Sequence, residues 1–273
     1  MFYEIYWYSY STQIYKKKQD IDNSGVNHMV KLNPFQHITK DGVIKKNPYK
    51  SMKIVIRHRY NGNIIYTSTD AKNIREAVKE AIHKMVYLDY AMLSRANLDG
   101  IKILDAHFRY ADLSHSTMRK SIMRYVLFNY ANLSHTDMSY IDLLLGNLSN
   151  SNLTKAILRR SNLQDTNLSY VTIDKADLRG ARLVGSKFIG VDFRKVNLRD
   201  ISFAGVNLSN ANFSGMNLSG LDFRGAILFG TNFQGANLRK TDFSLTKIDN
   251  ETNFRNTKTW RMKKKAIQKS RGI

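Results

Sequence analysis

The sequence predicts an all-β solenoid, and three observations carry that prediction. From Val86 to Asn250 the chain divides into consecutive five-residue words without insertion or deletion, 33 in all. Every word has Leu, Ile, Met or Phe at its centre, from Leu88 and Leu93 to Phe243 and Ile248. Two residues before the centre, 28 of the 33 words carry Ala, Ser, Thr, Gly or Val, and the bulky exceptions are Ile101, Ile141, Ile201, Met216 and Leu221. A period of five fits neither the roughly 3.6 residues of an amphipathic helix nor the roughly 2.0 of a strand, so stacked repeats that share one core are what remains. Proline occurs only at Pro34 and Pro48, outside the words, as a hydrogen-bonded ladder that cannot spare its N–H donors requires.

The elements follow in chain order. Residues 1–51 hold both prolines, polar stretches and an aromatic opening (Phe2, Tyr3, Tyr6, Trp7, Tyr8, Tyr10, Tyr15) with no convincing period, and are expected to be poorly ordered or loosely attached. Their basic run, Lys16 to Lys18, follows the aromatics, the reverse of a secretory signal, so no signal peptide is expected. Met52 opens a better-patterned segment and is a candidate internal start. From Lys53 to Ser68 two β-rich runs flank Asn61-Gly62, a hairpin signal. Ile74, Ala77, Val78, Ala81, Ile82 and Met85 then recur at helical spacing, with Ser68, Thr69 or Asp70 as the expected N-cap. A small hairpin-helix unit over 52–85 thus precedes the words. Its expected work is to cap the solenoid, because an open first coil would expose an apolar end and unpaired strand edges. The words of 86–250 end where Thr252-Asn253-Phe254 slips the register by one. A basic tail follows over 251–273, in which Trp260 and Ile267 offer apolar contacts for docking on the last coil.

Words such as Ala96-Asn97-Leu98-Asp99-Gly100, Ala111-Asp112-Leu113-Ser114-His115 and Ala236-Asn237-Leu238-Arg239-Lys240 fit one template, A-(D/N)-L-x-x. On these words the segment resembles the pentapeptide-repeat family, over 165 of the 273 residues. The resemblance implies a right-handed, four-sided β-helix with four words per coil. The centre and the small residue two before it face inward, and the other three positions face solvent. Parallel pairing at about 4.8 Å per coil would make roughly eight coils, about 40 Å in length. Asp or Asn just before the centre, as at Asp112, Asn132, Asp177, Asp192 and Asn217, suits local hydrogen bonds at turns, which gives these acids a structural role.

Composition bounds the function. The chain has 43 Lys and Arg against 22 Asp and Glu, a formal charge of +21, and the excess lies in every segment; over 86–248 it is 20 against 13. Such a charge favours anionic partners, nucleic acid or an acidic protein surface. The chain has no cysteine, which excludes disulfides and Cys-based metal sites. No run of apolar residues is long enough to span a membrane. With neither a signal nor a span, the expected compartment is the cytoplasm.

With twenty residues per coil, the outward columns can be read directly. One runs Arg95, His115, His135, Lys155, Lys175, Lys195. On the next side stand Asp99, Arg119, Ser139, Arg159, Arg179, Arg199, Ser219 and Arg239, with Lys120, Arg160 and Lys240 beside them. The two columns share a corner, and Asp99, Asp137, Asp174, Asp177 and Asp200 are expected to dilute its charge only in part. Like charges at coil spacing repel, so stability alone does not favour this arrangement. A phosphate backbone would. Another column has Tyr90, Tyr110, Tyr130 and Tyr170, interrupted by Asn150, which reads as a stabilising ladder or as rings for unpaired bases. Leu104, Ile122, Leu127, Leu144, Leu145 and Val184 form an outward apolar cluster, expected to be a covered surface in a homodimer or against a partner, or in part a locally shifted coil near Ile141 to Gly146.

No Gly-rich phosphate loop, nucleophile elbow or metal-binding His motif is present, and the family resembled is mostly non-catalytic. No enzyme activity, metal or cofactor is expected. Three readings stand. The first is a binding scaffold that engages nucleic acid or a nucleic-acid-associated complex through the basic corner. The second is a protein-interaction scaffold, a phage or bacterial factor or a delivered effector. The third is the topoisomerase-directed role of those relatives that are acidic rods imitating DNA. The positive sign of this chain departs from that last group, because a cationic rod attracts DNA instead of replacing it.

Overall fold

A computed structural model describes residues 53–258 and the backbone of four short strands nearer the N-terminus. The chain separates into two units, Met1–Met52 and Lys53–Ile273. In the first, β1 (Ile14–Lys17) pairs antiparallel with β2 (Met29–Leu32), and β3 (Gln36–Ile38) pairs antiparallel with β4 (Ile44–Lys46). The aperiodic reading of 1–51 anticipated none of these strands, and its remaining expectations lie outside the described residues.

The second unit opens with the hairpin of β5 (Ile54–Arg57) and β6 (Ile64–Ser68). Its turn is longer than the two-residue loop that Asn61-Gly62 suggests. Donation from His58 N–H to the Asn63 carbonyl closes it around four residues, and Gly62, at φ 72°, supplies the left-handed step that a side chain would resist. Helix α1 (Ile74–His83) buries Ala77, Val78 and Ala81. Its N-cap is Asn73, not Ser68, Thr69 or Asp70: the Asn73 side-chain oxygen accepts from Glu76 N–H at 3.0 Å, and the Glu76 carboxylate accepts from Lys72 N–H at 2.8 Å. Ser68 is engaged elsewhere, donating to Glu80 and accepting from Ala71 N–H. Met85, placed on the apolar stripe by spacing, lies past the helix end at φ 58° and is 87% exposed.

From Leu88 onward the ladder repeats every twenty residues. Parallel bridges join Met92 to Asp112, Asn97 to Thr117 and His107 to Leu127, while β7 (Lys102–Leu104) pairs with β8 (Ile122–Arg124). Within this β-helical solenoid each word satisfies its own backbone. Leu93 N–H donates to the Asp112 carbonyl at 2.7 Å, Asp112 N–H donates back to the Ala91 carbonyl at 2.9 Å, and a turn closes from Ala96 N–H to the Leu93 carbonyl at 3.1 Å. The first and third residues of each word point inward and the second, fourth and fifth outward, as the small-x-large pattern predicts. Register holds through Ile141 and Leu143, both buried, so Leu144 and Leu145 stand outside without a shifted coil.

Two features were not read from the words. Most fifth residues adopt a positive φ near 60°, including Arg95, His115, Lys120, Tyr130, Asn150 and Lys155. That explains why no β-branched residue occurs at any fifth position and why Gly occupies so many from Gly180 to Gly235. Core composition also changes along the axis. Leu and Met fill most of the early coils, with Phe108 stacked on Phe128 at 5.2 Å. Phe193, Phe213, Phe233 and Phe254 stack along one side, and Phe203, Phe223 and Phe243 along another, meeting edge to face.

The ladder does not stop at Asn250. It absorbs one extra residue and resumes, with bridges from Asn232 to Asn253 and Asn237 to Lys258. Asp249 makes this possible. Where a main-chain carbonyl would accept, its carboxylate takes the Gly230 N–H at 2.9 Å, together with the Thr252 N–H and hydroxyl. The Gly230 bond, before the others, holds the Asp249 carboxyl below its ordinary range. Asp249→Ala leaves a ladder donor without an acceptor, with an expected cost of about 1–3 kcal/mol confined to the last coil. Hydrogen exchange at the Gly230 amide reads it, and unchanged protection would contradict this role. The expectations for Trp260 and Ile267 fall outside the described residues.

Candidate anion-binding face

The turn geometry puts long side chains at the corners. A fifth residue at positive φ leans along the axis toward the next coil: Asp165 lies over Gly185, Tyr170 over Gly190 and Asn210 over Gly230. Side chains twenty residues apart are therefore in register, and chemistry repeats at coil spacing. Second-position Asp and Asn hold the turns. Asn97, Asp112 and Asn132 each accept from the N–H two residues on, near 3.0 Å.

The basic corner is more heavily neutralised than spacing alone suggests. Arg119 donates to Asp99 at 2.6 Å, Arg159 and Arg179 both donate to Asp177, Lys195 pairs with Asp174 at 3.0 Å, and Arg199 lies 3.8 Å from Asp200. Arg160 rests over the Tyr140 ring, 5.9 Å from its centroid, and donates to the Tyr140 hydroxyl. Among the described residues, Arg95, Lys120, Lys155, Lys175, Arg239 and Lys240 form no ion pair, and all six are exposed. The free charge is thus divided between the corner column, at Arg95, Lys155 and Lys175, and the next side, at Lys120, Arg239 and Lys240; three of the five diluting acids engage arginines of that side, and Asp174 engages Lys195 of the corner column.

His115 and His135 stack at 4.6 Å between Arg95 and Lys155. Partial burial, then the His115 and Lys155 charges, push the His135 imidazole down, so His135 adds ring surface and little charge at neutral pH. Asp177 is the structural counterpart. The Arg179 guanidinium, then Arg159, overcome its burial and hold its carboxyl at about 2. A depressed folded pKa contributes stability that is complete above the ordinary value of about 3.9 and is lost as pH falls through about 2. Asp177→Asn is therefore expected to lower the melting temperature at neutral pH and to lose less between pH 4 and pH 2 than the parent does. Parallel acid profiles of the two proteins would contradict this.

On the preceding corner the tyrosines form a true stack. Tyr90 to Tyr110 and Tyr110 to Tyr130 are each 4.8 Å apart with rings within 5° of parallel, and His58 of the hairpin extends the column at 5.0 Å from Tyr90. Spacing within the words had no means of finding His58. Of the apolar cluster, Leu104, Leu145 and Val184 are exposed at 58%, 47% and 56%, while Ile122, Leu127 and Leu144 are half-buried. Tyr125, at 48%, extends the same patch.

Among the described residues no helix is long and apolar enough to cross a membrane. Comparison with solved structures finds HetL, a pentapeptide repeat protein involved in heterocyst differentiation regulation from the cyanobacterium Nostoc sp. strain PCC 7120. It is 20% identical, with 68% of this chain and 94% of that chain covered and a TM-score of 0.30. QnrB1, a plasmid-mediated fluoroquinolone resistance protein, is 20% identical with 67% and 93% covered and a TM-score of 0.45. Rfr23 from the cyanobacterium Cyanothece 51142 is 18% identical with 68% and 100% covered and a TM-score of 0.23. No curated protein matches the sequence. The family model for pentapeptide repeats matches in eight copies, over residues 86–124, 104–139, 127–165, 147–185, 161–200 and 207–244, more than half of the chain. With the unbroken words and the twenty-residue ladder, that match identifies the chain as a member of the pentapeptide-repeat family.

Proposed function

We propose that this protein is a non-catalytic scaffold that holds nucleic acid by its phosphates along the basic corner. The observation that carries the reading is the column of Arg95, Lys155 and Lys175, with Lys120 and Lys240 on the neighbouring corner: exposed cations in coil register and without ion pairs among the described residues. Repulsion between like charges at this spacing costs stability that a bound polyanion would return. Binding of this kind is salt-dependent and tolerant of sequence, because it engages the backbone and not the base edges. The rod itself we take to be right-handed and four-sided, a shape supported by one bridge per word and four words per turn. The hairpin and helix act as its cap, since Met92 N–H donates to the Arg57 carbonyl and Arg59 N–H to the Tyr90 carbonyl, occupying the edge of the first coil.

Anisotropy of labelled DNA titrated with the protein tests the reading. Binding that Lys155→Glu and Lys175→Glu weaken supports it, and affinity unchanged by both contradicts it. A second reading, a protein-interaction scaffold that includes self-association, rests on the exposed patch of Leu104, Tyr125, Leu145 and Val184. A salt-insensitive interaction lost on Leu144→Asp would favour it. The net positive charge of the repeats weighs against a topoisomerase-directed role through imitation of DNA.

A further inference from the structure

We infer that the break in the tyrosine column at Asn150 is a receptor for one unpaired nucleobase, an assignment that rests on the nucleic-acid reading above and narrows it to single strands. Tyr130 and Tyr170 stand on either side of this rung. Each ring has one face already covered. Tyr110 stacks on Tyr130 at 4.8 Å, and Tyr170 lies against Gly190, where an added Cβ would come within 2.7 Å of the ring. Their other faces look toward the level of Asn150 from opposite sides. Exposure agrees with this geometry: Tyr130 and Tyr170 are 48% and 60% exposed, whereas Tyr110, stacked on both faces, is half-buried.

The rings of Tyr90, Tyr110 and Tyr130 follow at 4.8 Å per coil, and the same spacing carried on from Tyr130 to Tyr170 puts the opposed rings two such steps apart. A flat ring seated midway would lie one such step from each, within the centroid range of about 4.5–7 Å that aromatic pairs prefer. The base would complete the column as a tyrosine does elsewhere. Asn150 is exposed, and its amide has no hydrogen-bond partner among the described residues, so it can both donate to and accept from the edge of a base. On the same coil, Lys155 stands at the next corner as an exposed cation without an ion pair among the described residues, positioned for the phosphate of the nucleotide so held. A duplex keeps its bases paired and stacked inside, and cannot insert one here without unpairing it.

Asn150→Tyr tests this without changing charge. The substitution fills the rung with the residue its neighbours already use at the same backbone conformation, φ 62° at Tyr130 and 58° at Tyr170, so folding and melting temperature are expected to be retained. With a labelled oligothymidylate, affinity is expected to fall about fivefold or more, the loss of one base–aromatic contact. Affinity for a duplex of the same length is expected to stay unchanged. Tyr170→Ser, which removes one wall, is expected to weaken single-strand binding alone by a similar factor. Single-strand affinity unchanged in both variants would overturn the base receptor. If Lys155→Glu still weakened both probes in that case, the phosphate-binding corner would stand without it. Absence of binding to either probe by the parent protein would overturn both.

Discussion

Replacing Phe213 with alanine is expected to destabilise the solenoid by about 3–5 kcal/mol, the largest effect of any single substitution considered, measurable by urea or thermal unfolding. Phe213 is fully buried. It stacks on Phe193 at 4.6 Å and Phe233 at 5.4 Å along its own side, and meets Phe203 and Phe223 edge to face at 5.5 and 5.8 Å. A small side chain leaves a cavity walled by four rings that cannot collapse into it, because each is fixed by the coil above or below. Coils of a solenoid contact only their neighbours, so the loss falls on the C-terminal half and loosens it before the Leu- and Met-filled coils. A Phe213→Ala protein within about 1 kcal/mol of its parent would show that the aromatic column is not the core of those coils.

Reversing Arg95, Lys155 and Lys175 together to glutamate is expected to weaken DNA binding by at least about a hundredfold at low salt, and to flatten the salt dependence by about one unit of log–log slope per phosphate contact removed. These three are chosen because each is exposed and without an ion pair among the described residues. Arg159, Arg179 and Lys195, which sequence spacing groups with them, already share carboxylates with Asp177 and Asp174. Reversing those would also break structural pairs and confound binding with stability. Retention of full affinity by a folded triple variant would remove the corner column from the binding surface.

The distinction between free and paired cations marks where sequence stopped being sufficient. The words follow from a strict period; their inward and outward positions and the columns twenty residues apart follow from the four words per coil that the family resemblance implies, because register in a ladder fixes which residues stack. Ion pairing does not follow. Asp177 is reached by an arginine two residues on and by another eighteen residues back, whereas Asp99 is reached by Arg119 from the next coil. The choice depends on how each side chain leaves its turn, which the period does not encode. The helix start was displaced because Ser68, a good cap by type, is held by Glu80, leaving the role to Asn73. The one-residue slip after Ile248 was visible, but as the end of the words. Its repair was not, since it relies on a side-chain carboxylate standing in for a main-chain carbonyl. The left-handed fifth position was not read from the words, although the glycines between Gly180 and Gly235 and the lack of β-branched residues there carried its signal.

The measurement that bears most directly on a phosphate-binding corner is the affinity of the protein for duplex DNA followed from low to high salt. Tight binding at low salt, with log affinity falling linearly and steeply against log salt concentration, is the result expected of free cations aligned along one corner. No binding at low salt, or an affinity indifferent to salt, would contradict it and turn attention to the exposed patch around Leu104 and Leu145.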